Sequence, residues 1–158
     1  VNVLNGPLLH DCARGAGFRG GALVTAIAVA YGASGGVPSY DHATGPGNST
    51  HYRGLWGLDV GEYPLYALCE LENPHVAASI AHELCELHGG WRWNAAWRAN
   101  AHVPYLETAA TAATMFPGPG YVAPTIDVRP AAERHGALYT HFHTAQRALA
   151  HTIRRKVT

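Results

Sequence analysis

Three groups of residues in this chain have types and spacings that chemistry can use. The first is His82-Glu83-Leu84-Cys85-Glu86-Leu87-His88, where His82 and Glu86 stand one helical turn apart, as ligands do on metal-binding helices. It is not His-Glu-x-x-His, because the fifth position is Glu86, and spacing supplies no third ligand. A solvated polar helix face accounts for the string, so neither a metal nor another cofactor is expected. The second group is Trp91, Trp93 and Trp97. Aromatic faces stack on the C–H surfaces of pyranose rings, and tryptophans this close together can equally pin two helices together. The third is a set of carboxylates, Asp41, Asp59 and Glu62, in or just after a Gly/Pro-rich stretch. A carboxylic acid of raised pKa can protonate a glycosidic oxygen, and a carboxylate in such a stretch can also be a surface or capping group.

These residues need elements to position them. The run Gly17 to Gly36 has Ala22, Leu23, Ala26, Ile27 and Ala30 at helical spacing and breaks at Ser34-Gly35-Gly36. Its alanine content favours a buried helix that stops abruptly at a small-residue turn, a way to hold one side chain at the floor of a cleft. Ahead of it, Asn5-Gly6-Pro7 reads as a helix start, followed by the apolar stripe Leu8, Leu9, Cys12, Ala13 and Ala16. Residues 34–54 read as a long loop containing at most a short hairpin. Asn73-Pro74 opens the clearest helix, with Val76, Ala77, Ile80, Ala81, Leu84 and Cys85 on one face and Gly89-Gly90 as its stop. Pro104 to Met115 reads as another helix, ended by Pro117-Gly118-Pro119-Gly120.

Four strings occur in a telling order: the buried Ala-rich segment ending Ala33-Ser34-Gly35-Gly36, then Gly54-Leu55-Trp56-Gly57-Leu58-Asp59, then Asn73-Pro74, then Gly89-Gly90-Trp91 with Tyr105-Leu106 beyond. Over roughly residues 8–113 this order resembles the lysozyme-like soluble lytic transglycosylases of phage and actinobacterial type. That family's buried helix ends in Glu-Ser-Gly-Gly, and the Glu is its catalytic acid. Here the position is Ala33. The family's second motif, Gly-Leu-Trp-Gln-Ile-Asn, has Gly57 in place of Gln and Asp59 in place of Asn. His102 stands where a cleft tyrosine is expected.

The resemblance implies a mainly α, lysozyme-like fold with a cleft for peptidoglycan glycan. It carries Ser34, Tyr52, Trp56, Gly57, Asp59, Trp93, His102 and Tyr105 over as cleft-lining, substrate-binding candidates. Trp56 is read two ways, as a sugar-stacking ring or as a core aromatic with its indole N–H satisfied locally. With alanine at the acid position, Ala33 marks a vacated catalytic site, and Glu62 is the candidate for a displaced acid. The expected function is therefore glycan binding or scaffolding with little or no cleavage. Two alternatives stand beside it: a purely structural virion or injection-machine protein, and an active glycosidase using Glu62. An engineered loss of the acid would look the same.

Composition bounds the rest. With 158 residues, 47% hydrophobic and 14% charged, the chain can bury a real core and is not of the disordered class. A formal net charge of zero gives no electrostatic case for nucleic acid. No apolar run reaches the roughly 18 residues of a membrane span, and no basic-then-apolar leader opens the chain, which suits a virion or phage-tail setting, or a cell-wall-associated one reached by other means. Three cysteines, an odd number, leave at least one thiol unpaired within the chain. The expected organisation is a lysozyme-like domain over 1–115, a Pro/Gly-rich linker over 116–130, and an amphipathic helix over 131–156. That helix keeps Leu138, Phe142, Ala145, Leu149 and Ile153 on one stripe, a surface for the core or for other protein subunits.

Overall fold

A computed structural model describes residues 6–114, and these are mainly helical. The linker and the C-terminal helix expected over 116–156 lie outside the described residues. Among the described residues five helices carry the fold: α1 (Gly6–Ala16), α2 (Gly20–Ser34), α3 (Pro74–His88), α4 (Ala95–Arg98) and α5 (Leu106–Ala113). Between α2 and α3 sits a small antiparallel sheet of β1 (Asp41–Thr44), β2 (Thr50–Arg53) and β3 (Leu58–Asp59), in that order. Short 3₁₀ turns cover Pro46–Asn48, Pro64–Leu68 and Val103–Tyr105.

The central element is α2. Its alanines let neighbours approach closely, and Ala26 through Ala30 are sealed from solvent, while α1, α5, α4 and the 103–105 turn pack around it. It ends because Gly35 enters the left-handed region (φ 67°), where glycine has no β-carbon to clash, and donates its N–H to the Tyr31 carbonyl at 2.9 Å. Helix α3 packs on α1 and starts as its sequence suggests. The Asn73 side chain accepts from the His75 N–H at 3.0 Å, Pro74 fills the first turn, and Gly89 caps the end.

Several expectations are refined in detail. The stretch 34–54, read as a loop with at most a short hairpin, holds the β1–β2 hairpin, and residues 58–59 beyond it add a third strand, pairing Tyr52 with Asp59 and Arg53 with Leu58. The helix expected from Pro104 begins at Leu106, after a 3₁₀ turn. Among the three tryptophans, Trp91 and Trp93 are buried and stacked on each other at 5.6 Å, with Trp91 also stacked on Phe18. They pin elements together and offer no platform to a sugar. Cys12, Cys69 and Cys85 are all free thiols.

Candidate functional site

Ala33 lies in the last turn of α2, half-exposed, at the floor of a cavity of about 220 Å³. Gly32, Tyr40, Tyr52, Gly57 and the three alanines Ala95, Ala96 and Ala101 complete the lining. Of the residues proposed from sequence, then, Ala33, Tyr52 and Gly57 come together. Gly57 takes φ 55° in the turn between β2 and β3, and a β-carbon there would stand 3.2 Å from that of Ala33. Gly32 lets the Ala101–His102 backbone lie directly on α2, since a β-carbon on it would meet the Ala101 carbonyl at 2.7 Å. The cavity is thus a narrow space between small residues, with two phenol rings as its polar equipment.

The other candidates are turned to internal tasks. Ser34 is buried, and its Oγ lies 2.7 Å from the Leu55 carbonyl and 3.0 Å from that of Ala30, while accepting from the Gly36 N–H at 3.2 Å. With one proton to give, the hydroxyl serves the shorter contact to Leu55 and ties α2 to the second motif. It is not free to bind a substrate. Trp56 is 1% exposed, and its indole N–H donates to the Ala26 carbonyl at 2.9 Å. It is a core aromatic, and of its two readings the sugar-stacking one fails. Trp93 is buried with its N–H 3.5 Å from Cys85 Sγ. His102 is buried beneath Trp97, ring centroids 4.2 Å apart, so the cleft place expected for it is taken by its neighbour Ala101. Tyr105 is half-buried and stacks on Tyr31 at 5.7 Å.

The two carboxylates near the second motif stand outside the cavity lining. Asp59 Oδ1 accepts from the backbone N–H groups of Gly61 (2.9 Å), His51 (3.2 Å) and Glu62 (3.3 Å), holding the turn that follows β3. Glu62 is exposed at that turn. Both act on the cavity at a distance: burial, then the Asp59 charge, push the Tyr52 phenol above its ordinary range, with Glu62 adding in the same direction and Arg98 opposing. Tyr63, behind this turn, is pushed up to about 12, first by burial and then by Glu62. Tyr52 is therefore a neutral hydrogen-bonding group at any ordinary pH. His82 and Glu86 lie 3.9 Å apart, and no cluster of three or more metal-ligating side chains occurs among the described residues.

Two residues that shape the site, one in the lining and one behind it, carry little signal in the sequence. Tyr40 sits in a loop with no periodicity to mark it. Asn94 is 1% exposed; its Nδ2 donates to the Trp56 carbonyl at 2.7 Å and its Oδ1 accepts from the Trp97 N–H at 3.1 Å. It caps α4 and ties that helix to the residue before Gly57. An Asn three residues before an N–H that needs a partner is a cap signal, and it was hidden among the tryptophans. A second concavity, of about 680 Å³, lies at the opposite end of α2, between Arg19, Thr25, His82, Glu86, Trp91 and Trp97. No family model matches the chain, and neither does any curated protein or solved structure.

Proposed function

We propose that the chain is a lysozyme-like, glycan-facing domain whose catalytic acid position is vacant, so that it binds peptidoglycan glycan or serves as scaffold and does not cleave. The observation that carries this reading is the placement of Ala33. It ends a buried helix, faces a cavity of about 220 Å³ across from Gly57, and shares that cavity with Tyr40 and Tyr52 but with no carboxylate among the described residues lining it. A general acid must come within about 3 Å of the oxygen it protonates. Glu62, exposed on a turn outside the lining, is poorly placed for that role, which weighs against the reading as an active glycosidase. The setting, a phage tail, virion or cell-wall-associated assembly, is an analogy drawn from the resemblance.

One observation favours the second reading, a structural protein that reuses the fold and binds no sugar. Ser34, Trp56, Asp59 and Trp93 spend their polar atoms on the protein itself. Co-sedimentation of the full chain with purified peptidoglycan separates the two. Retention that a soluble N-acetylated glycan fragment competes away supports the binding reading. A chain left wholly in the supernatant supports the scaffold. Release of soluble muropeptides by the unmodified chain would falsify both.

A further inference from the structure

The cavity at Ala33 and the groove at the other end of α2 are separate, yet they share a wall. Ala95 and Ala96 line the cavity, and the next residue, Trp97, lines the groove. All three belong to α4, a single helical turn with none of its residues buried. A helix this short has little stability of its own. Its two ends are tied down, and the Arg98 side chain donates to the Arg92 carbonyl at 2.9 Å. At the start, Asn94 bridges the Trp56 carbonyl and the Trp97 N–H. At the far end Asn100 takes φ 56°, the only non-glycine residue at positive φ among those described, before the backbone settles on Gly32. In between, Trp97 lies nearly parallel on His102, at 16°, and the buried Nδ1 of His102 meets no hydrogen-bond partner among the described residues.

The opposite side of the cavity is of another kind. Ala33 belongs to the sealed central helix, and Gly57 is held against it by the Trp56 anchor. A group pressed into the cavity meets one wall built into the core and one wall held by side-chain contacts: the Asn94 bridge, the Trp97–His102 stack and the Arg98 hydrogen bond to Arg92. We infer that α4 is a movable wall latched by Asn94, and that filling the Ala33 cavity shifts Trp97 on the groove side. The two concavities are then coupled, and by linkage the coupling is reciprocal: an occupant of the groove that holds Trp97 inward disfavours occupancy of the cavity. None of this depends on whether the cavity's ligand is a glycan.

The chain supplies its own probe. Trp56, Trp91 and Trp93 are 1%, 7% and 5% exposed, whereas Trp97 is only partly covered, so acrylamide quenching of the full chain reads mainly Trp97. The difference between the chain and its Trp97→Phe variant isolates that signal. Ala33→Leu fills the cavity without substituting any residue of α4, and Ala33→Val does so more gently should the larger side chain prevent folding. Asn94→Ser keeps a capping oxygen and, being shorter and without an amide, withdraws the donor from the Trp56 carbonyl without burying a charge. We expect Trp97 quenching to rise in the filled variants, and the fraction with α4 released to rise about two- to tenfold in Asn94→Ser, the worth of one hydrogen bond. Wild-type quenching of Trp97 in a cavity-filled variant that melts cooperatively overturns the proposal. Failure of the unmodified chain to bind glycan, with the quenching response of the filled variants intact, would count against the glycan reading alone.

Discussion

Gly57 faces Ala33 so closely that a single carbon added to Gly57 would crowd the Ala33 methyl at 3.2 Å. The cavity floor is therefore set by two small residues together, and a change at one is felt at the other. Gly57→Ala should destabilise the fold by about 1–2 kcal/mol from its left-handed backbone alone, with the crowding as a further cost. In the double variant with Ala33→Gly the crowding part should vanish and the backbone part remain. Urea denaturation of the four proteins measures both, and strict additivity would show that the two residues do not touch.

The same pair governs the test of the proposed vacant acid position. Ala33→Glu places a carboxyl group at the end of α2, in a space that Gly57 leaves open. If the rest of the cleft is competent, this variant should gain muropeptide release that the parent lacks. A positioned general acid contributes roughly 10²- to 10⁴-fold, so the gain should be well above background. An inert Ala33→Glu that also fails to bind glycan would place the fault beyond the acid, at Gly57 and the buried His102 first.

Ser34→Ala tests the tether between α2 and the second motif. The buried Leu55 carbonyl would lose its 2.7 Å donor, and the expected cost is about 1–3 kcal/mol. The shift in denaturation midpoint at constant slope is the readout. An unchanged midpoint would mean that the carbonyl finds another donor.

Stability should also depend on pH through Glu72. The Arg53 guanidinium, hydrogen-bonded to it, holds this carboxyl below its usual range. A carboxylate whose folded pKa is depressed stabilises the fold fully above its unfolded value of about 4.3 and loses that contribution as pH falls through the lower folded value. The stability difference between the chain and Glu72→Gln should therefore be flat near neutrality and shrink as the solution becomes more acidic than about pH 4. A difference that grows on acidification would reverse the assignment.

Thiol reactivity offers a fifth measurement. Burial pushes Cys12 up to about 12, and Cys69 and Cys85 up to about 11. Only the thiolate reacts, so near pH 8 alkylation should be slow until the chain opens, with half-buried Cys85 labelled first. Rapid labelling of Cys12 in native buffer would show that α1 is not closed over it.

How legible this was from sequence depended on the kind of signal. Helix α3 announces itself locally, because its cap, proline, stripe and terminal glycine are all read within 18 residues. The burial of α2 and its glycine stop are legible for the same reason. The sheet is not, since β3 is two residues long and exists only through its pairing with β2. The site divides likewise. Ala33, Tyr52 and Gly57 were found because ordered motifs marked them, while Tyr40 and the alanines of α4 carry no chemical label. The tryptophans were the deceptive case, because a ring's stacking partner, whether sugar or another ring, is a property of tertiary packing.

The Ser34 tether has a consequence for how chains of this kind are recognised. Its hydroxyl holds the Leu55 carbonyl, and the left-handed Gly35 turns the chain out of the core. Folding alone therefore requires the very residues that make Ser-Gly-Gly look like a signature of reactivity. On the proposed reading, a chain released from any need to cleave is free to drift at position 33 while its fold still holds 34 and 35. The tripeptide by itself reports how the helix stops, and the residue to interrogate for chemistry is the one just before Ser34.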